Sequence, residues 1–160
     1  MKADAPERVL VAGTGNVLLG DEGLGVHVAR MLRVDPPAHA DVLEAGTMLL
    51  DALPTMKRYP CVIIVDAIRR GHAPGTIHRL DLGAAIEEPD QADEAVSLHE
   101  WGVMATLRAG RRLGLLPPNV LLVGAEPEVI ETGLDLSPRL AEAAERICGL
   151  LREAYGSHSK

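Results

Sequence analysis

Short apolar runs alternate along the chain with segments in which apolar residues recur at helical spacing. The clearest run covers residues 61–66 and is apolar at every position except the last. Strands that are buried on both faces have this pattern, and they are typical of parallel sheets. We predict strands at residues 8–13, 41–45, 61–66, 76–82 and 119–124, the fourth of them a half-exposed edge strand because its apolar and polar positions alternate.

Helical patterns separate the predicted strands. Leu24, Val28, Met31 and Leu32 lie on one face of a helix that ends at the prolines 36–37. Ser97 and Glu100 have the spacing of a capping box, and Ser137 before Pro138 is typical of a helix start. We therefore predict three further helices: over residues 47–57 with an interruption at Pro54, from Ser97 towards Gly114, and from Pro138 onward. The acidic segment 83–95 is expected to be a loop or frayed turn.

The alternation of strands with helices predicts a three-layer α/β/α fold with a mainly parallel, five-stranded twisted sheet. Right-handed crossovers place strand 1 between strands 2 and 3, which opens a crevice at the carboxyl ends of strands 1 and 3. A chain of 160 residues has the length of one domain, so we predict a single domain over residues 1–160 with loose tails at 1–7 and 156–160.

The composition excludes several classes of partner. A formal charge of −7 repels nucleic acid and anionic membranes, and no apolar run approaches the length of about 18 residues that a membrane span needs. The first eight residues lack the apolar stretch of a signal peptide. Cys61 and Cys148 lie in apolar contexts and are predicted to be buried thiols of a reduced compartment. We expect a cytoplasmic monomer that binds neither nucleic acid nor membranes.

A glycine-rich loop with five glycines joins the first strand to the first helix over residues 13–25. Leu18 stands where a dinucleotide-binding loop has its third glycine, and Asp21 stands where a P-loop has its lysine. Asp21 and Glu22 would both repel a phosphate at this helix start. One carboxylate is enough to cap a helix, so the second, Glu22, is a candidate functional residue.

Two further residues extend this candidate site. Asp66 ends the most hydrophobic strand, at the edge where open α/β sheets bind ligands, although it could equally cap the following turn. His99 lies in the first turn of the helix that begins near Ser97, and the alternative is a surface imidazole. Two carboxylates with one imidazole suit Ni²⁺ or Zn²⁺ and leave coordination positions open. The other histidines are expected to be surface residues: His27, His39, His72, His78 and His158.

These motifs together resemble the [NiFe]-hydrogenase maturation endopeptidases, which trim the C-terminal extension of the hydrogenase large subunit. The resemblance covers about residues 9–151. The matching segments are Gly13-Thr14-Gly15-Asn16, Gly20-Asp21-Glu22-Gly23, Ala45-Gly46-Thr47, Val65-Asp66-Ala67, Ala73-Pro74-Gly75-Thr76, Ser97-Leu98-His99, Val123-Gly124, Pro127-Glu128, and Gly133 to Pro138. The family fold, a five-stranded twisted sheet between helices, agrees with the predicted elements.

The resemblance also implies a site and a mechanism. The family's metal-contacting residues correspond to Glu22, Asp66 and His99, which would contact nickel carried by the large-subunit precursor and not a permanent cofactor; no organic cofactor is implied. One hypothesis for the hydrolysis is that the bound nickel polarises the scissile carbonyl or a water, with Asp21 or Glu44 as the general base. The family usually has Asp-Gly-Gly-Thr where this chain has Glu44-Ala45-Gly46-Thr47, so the acid at this position is one methylene longer.

Two other functions fit the same residues. A non-catalytic nickel carrier or sensor would use the same three ligands without cleaving a bond. A flavodoxin-like module would bind a nucleotide in the same crevice, although the acidic loop disfavours it.

Overall fold

A computed structural model describes residues 7–87 and 98–156, and for residues 98–101 it describes the helical backbone without the side chains. Five strands form one sheet in the order β2-β1-β3-β5-β4. Neighbouring strands are parallel except β4, which pairs antiparallel to β5 at the edge. The strands are β1 Val9–Thr14, β2 Ala40–Gly46, β3 Cys61–Ala67, β4 Ile77–Asp81 and β5 Asn119–Ala125.

The predicted fold class is confirmed, and β1 lies between β2 and β3 as the crossover rule requires. The helices are α1 Leu24–Val34, α2 Leu49–Met56, α3 Gly83–Glu87, α4 Leu98–Arg112 and α5 Pro138–Tyr155, and a 3₁₀ turn covers Gly20–Gly23. In the part of the chain that the structure describes, no helix combines the length and the apolar character that crossing a bilayer requires.

Two aliphatic cores cover the two faces of the sheet. On the first face, α1 and α5 pack against strand residues such as Ile63 and Val65. On the second face, α2, α3 and α4 pack against residues such as Val62 and Ile64. Because successive strand residues point to opposite faces, these two cores establish the face on which each polar strand residue lies.

Helix α1 approaches the sheet unusually closely at Gly25. A Cβ atom at this position would lie 1.9 Å from the carbonyl oxygen of Val65 and 2.3 Å from that of Thr14. A residue with a side chain would therefore push α1 away from β1 and β3. This contact fixes the start of α1, and with it the glycine loop, against the carboxyl ends of the two central strands.

Several local predictions need correction. Helix α2 continues through Pro54 to Met56. Proline has no N–H to donate to the carbonyl oxygen of Leu50, four residues earlier, but Leu50 is exposed, so water can bond to that oxygen instead. Residues 83–87 form the short helix α3 instead of a loop, because Ile86 is buried in the second core. Cys148 is buried as predicted, but Cys61 is only half-buried at the start of β3.

Other predictions concern residues that the structure does not describe. Ser97 and most of segment 83–95 lie outside the described residues, as do residues 1–6 and 157–160 of the expected tails and His158 within them. Ser137 precedes α5 as predicted, but its hydroxyl makes no capping bond to the helix. It donates a hydrogen bond to Asp21 instead.

Candidate active site

Gly15 brings the glycine loop into contact with the end of β3. Its φ of +122° lies in the region that side chains disfavour. A Cβ atom there would be 1.9 Å from the carbonyl oxygen of Glu22 and 3.4 Å from Oδ1 of Asp66. The peptide of Glu22 and the carboxylate of Asp66 thus lie against the same glycine. Only a residue without a side chain permits this proximity.

Asp66 lies at the carboxyl edge of the sheet, as the sequence predicts. It is the second-last residue of β3 and is only 2% exposed. Its Oδ1 accepts a hydrogen bond of 2.8 Å from the N–H of Ala67. Since Val65 points into the first core, Asp66 points to the opposite face, which α2 and α4 cover.

Glu22 lies in the middle of the 3₁₀ turn and is half-buried. Within residues 7–87 and 102–156, its carboxylate makes no hydrogen bond and no ion pair. The 3₁₀ turn has no side-chain cap, so helix capping does not explain this carboxylate. It remains available for a ligand at the edge where Asp66 lies.

His99 belongs to the first turn of α4, and its side chain lies outside the described residues. Helix α4 packs on the face of Asp66 through Val103 and Leu107. The chain leaves α4 and enters β5 at the amino edge of the sheet, so α4 begins at the carboxyl edge. The fold therefore places the Glu22 peptide and Asp66 beside the same glycine, and the helix that contains His99 begins at the same edge of the sheet.

The contacts of Asp21 do not fit the predicted role of general base. This side chain is fully buried. Its Oδ2 accepts hydrogen bonds from the N–H groups of Glu128 and Val129 and from the hydroxyl of Ser137, and its Oδ1 accepts one from the Ser137 N–H. Four hydrogen bonds and full burial therefore hold this carboxylate inside the molecule. Asp21 fixes the 128–137 loop against the glycine loop.

Glu44 lies on the face of the sheet opposite to Asp66. Its carboxylate pairs with Arg30 of α1 at 2.8 Å and with Arg33 at 3.6 Å. Helix α1 covers the first face of the sheet, opposite to Asp66. The hydrogen bond from Arg30 lowers the pKa of Glu44 below its ordinary value, which weakens it as a base. The catalytic role of Glu44 stays a prediction, and the interaction that the structure gives this acid is an ion pair between β2 and α1.

The sequence analysis missed a second polar cluster at the same edge. Glu126 follows β5 and is buried, and Nε2 of His78 lies 3.3 Å and Nδ1 of His72 3.7 Å from its Oε1. Burial would raise the pKa of Glu126, but hydrogen bonds from the N–H groups of His72 and Arg70 and from His78 hold it below its ordinary value. The rule that identified Asp66 after β3 also applies to Glu126 after β5.

The fold and the buried acidic site are those of an α/β protein whose chemistry lies at the carboxyl edge of its sheet. Comparison with family models identifies the particular class. The model described as "HycI: Hydrogenase maturation protease" matches residues 26–154. The chain therefore belongs to the hydrogenase maturation protease family, and it is a hydrolase.

Curated relatives agree with this family. The chain is 34% identical over 154 residues to the hydrogenase 2 maturation protease of Escherichia coli (strain K12), and the match covers 92% of each protein. It is 35% identical over 147 residues to the hydrogenase expression/formation protein HupD of Rhodobacter capsulatus, over 88% of this chain and 68% of that protein.

A solved structure has the same fold. The hydrogenase maturating endopeptidase HybD from E. coli superposes with a TM-score of 0.71 at 32% identity, over 92% of this chain and 93% of that one. The resemblance identified from the sequence motifs is thus confirmed.

Proposed function

We propose that this hydrolase removes the C-terminal extension of a [NiFe]-hydrogenase large-subunit precursor after nickel has been inserted. In this proposal Glu22, Asp66 and His99 contact the nickel of the precursor. The observation that carries it is the closeness of the Glu22 peptide and the Asp66 carboxylate to the same residue, Gly15, at the edge where α4 begins.

The charges of the site support recognition of a cation. In the proposed arrangement the carboxylates of Glu22 and Asp66 would repel one another, and a divalent ion on the substrate would relieve that repulsion. Nickel accepts carboxylate oxygen and imidazole nitrogen as ligands. A precursor without nickel would offer no such gain, so the site would discriminate between finished and unfinished substrates.

The surface beside the glycine loop supports a protein substrate. Leu18 and Leu134 are 58% and 64% exposed, and the N–H of Gly133 donates a hydrogen bond to the carbonyl oxygen of Leu18. The N–H of Asp21 bonds to the carbonyl oxygen of Val129, whose side chain is also exposed. Clustered apolar side chains on a surface are typical of protein interaction sites.

The chemistry requires attack of water on the scissile carbonyl, with the peptide C–N bond breaking to give a carboxylate and an amine. Since Asp21 is buried and accepts four hydrogen bonds, and Glu44 lies on the opposite face, neither acid is proposed as the base. We propose that the substrate's nickel polarises the scissile carbonyl or the water. Glu22 and Asp66 then hold the ion at the cleavage position.

We further propose that the protein acts as a monomer in the cytoplasm. Both cysteines are free thiols, which persist in reducing compartments. The edge strand β4 carries Arg79 and Asp81, and charged residues on an edge strand oppose pairing with a second copy.

The test is to incubate the purified chain with nickel-loaded and nickel-free precursor and to measure the mass of the large subunit. We expect shortening of the nickel-loaded form alone. Glu22→Gln and Asp66→Asn remove one negative charge each and should slow cleavage more than about 100-fold. Their circular dichroism should match that of the wild type.

Glu44→Gln is the matched control, because it makes the same change on the opposite face of the sheet. Its cleavage rate should stay within about threefold of the wild type. Equal cleavage of nickel-free precursor would refute recognition of the metal. Normal cleavage by the Glu22 and Asp66 variants would refute the assigned nickel contacts. Nickel binding by the chain without any cleavage would favour a non-catalytic nickel carrier or sensor.

A further inference from the structure

Three side chains outside the proposed active site converge on one point of the sheet edge. His72 comes from the connection between β3 and β4, His78 from β4, and Glu126 from the residue after β5. One ligand atom of each lies within 4.8 Å of those of the other two. The two imidazole rings are 5.0 Å apart between centroids and meet edge to face.

The separations suit a small divalent ion. Zinc binds imidazole nitrogen and carboxylate oxygen at about 2.1 Å, which puts neighbouring ligand atoms of a tetrahedral site about 3.4 Å apart. The distances from Oε1 of Glu126 are 3.3 Å to Nε2 of His78 and 3.7 Å to Nδ1 of His72. Both distances are close to this separation, and the three ligand atoms lie within 4.8 Å of one another, so rotation of the exposed His72 side chain would bring them around a common ion.

The carboxylate of Glu126 can bind such an ion. Within the described ranges, all of the hydrogen bonds that its carboxylate accepts go to Oε1, from Arg70, His72 and His78. Its Oε2 is left for another partner. The backbone N–H groups of Arg70 and His72 are enough to hold the β3–β4 connection against Glu126. This structural role does not explain why two imidazole rings also lie beside the carboxylate. Because His72 is 58% exposed, an ion can enter from solvent.

The cluster is separate from the proposed nickel contacts, although it lies at the same edge and on the same face. Gly124 of β5 pairs with Asp66 on one side and with His78 on the other. The buried side chain of Ile68 covers Gly124, where a Cβ atom would lie 2.7 Å from its Cδ1. An apolar side chain therefore covers the strand between the two groups of ligands.

We propose that His72, His78 and Glu126 form a second metal site, which binds a divalent transition-metal ion such as Zn²⁺ with water completing its coordination. The ion fastens the β3–β4 connection to the end of β5. This connection is already tied there by hydrogen bonds from Gly75 to Glu126 and from Glu126 to Thr76. Since it begins directly after Asp66 and Ala67, the ion also steadies the end of β3.

The experiment uses the untagged full chain carrying Asp66→Asn, which disables the proposed nickel contacts, and Zn²⁺ alone as the probe. Calorimetry should show one bound ion. In the ¹⁵N spectrum, Nδ1 of His72 and Nε2 of His78 should shift on binding. Addition of His72→Ala should weaken binding at least about tenfold, and this variant should fold because the side chain is exposed and the backbone bond to Glu126 is kept.

His39→Ala is the control, since His39 precedes β2 at the opposite edge of the sheet. It should bind Zn²⁺ like its parent. His78→Ala should weaken binding as His72→Ala does. Failure of the Asp66→Asn protein to bind Zn²⁺, undiminished binding by either histidine variant, or shifts confined to other histidines would overturn the proposal. Precursor cleavage is not measured, so these results leave the proposed peptidase function untouched.

Discussion

Two neighbouring acids of the glycine loop have opposite environments. The Asp21 carboxylate points into the molecule and accepts four hydrogen bonds, whereas the carboxylate of the half-buried Glu22 accepts none within the described residues. Successive residues of a 3₁₀ turn point in directions about 120° apart, so one can anchor the loop while the next faces the site. The acid that anchors the loop thereby sets the position of the acid that we propose to bind nickel.

Asp21→Asn should destabilise the protein by about 2–4 kcal/mol, because the amide nitrogen would face N–H groups and cannot accept hydrogen bonds from them. Urea unfolding measures the change. Ser137→Ala removes one of the four bonds and should cost about 1 kcal/mol. If the asparagine variant unfolded at the same urea concentration as the wild type, the anchoring role would be wrong.

At the scale of elements, most of the strands and helices follow from local patterns. Strand β3 and the start of α5 at Pro138 lie where apolar runs and a proline after serine predict them. Short elements are harder, because a five-residue helix such as α3 has too few positions for its period to be recognised. Its formation depends on burial of Ile86 against α4 and the sheet.

The close approach of α1 to the sheet gives a prediction at this scale. Gly25→Ala should destabilise the protein by at least about 2 kcal/mol, because its Cβ would collide with the Val65 carbonyl oxygen. Gly149→Ala in α5 is the matched control. A Cβ there meets nothing within 4 Å, so this change should stabilise by about 0.5–1 kcal/mol. Thermal unfolding of both variants should show shifts of opposite sign, and two shifts of the same sign would contradict the close contact.

At the scale of the whole molecule, the glycine loop and the 128–137 loop form one continuous surface. Their backbones are joined by hydrogen bonds from Gly20 to Gly133 and from Gly133 to Leu18. Exposed leucines on both loops, Leu18 and Leu134, give this surface apolar side chains although the molecule as a whole is acidic. A protein substrate that docks here would meet the edge of the sheet where Asp66 lies.

Leu134→Glu should raise KM for the nickel-loaded precursor by about tenfold and leave kcat within about twofold, because it alters docking and not the site. Steady-state cleavage measures both constants. Val34→Glu is the control: Val34 is 87% exposed but ends α1 at the opposite edge of the sheet. An equal effect of the two changes would exclude a specific docking surface beside the glycine loop.

The sequence by itself determined the α/β class, the order of the elements and the position of Asp66, because these depend on periodicity within one segment and on the rule for parallel strands. Only the tertiary structure decided that Glu44 pairs with Arg30, that Asp21 accepts hydrogen bonds from Ser137 and that Glu126 meets His78. In the chain, Arg30 is 14 residues from Glu44, Ser137 is 116 from Asp21, and His78 is 48 from Glu126. Local patterns contain no information about such contacts, since packing of distant elements creates them.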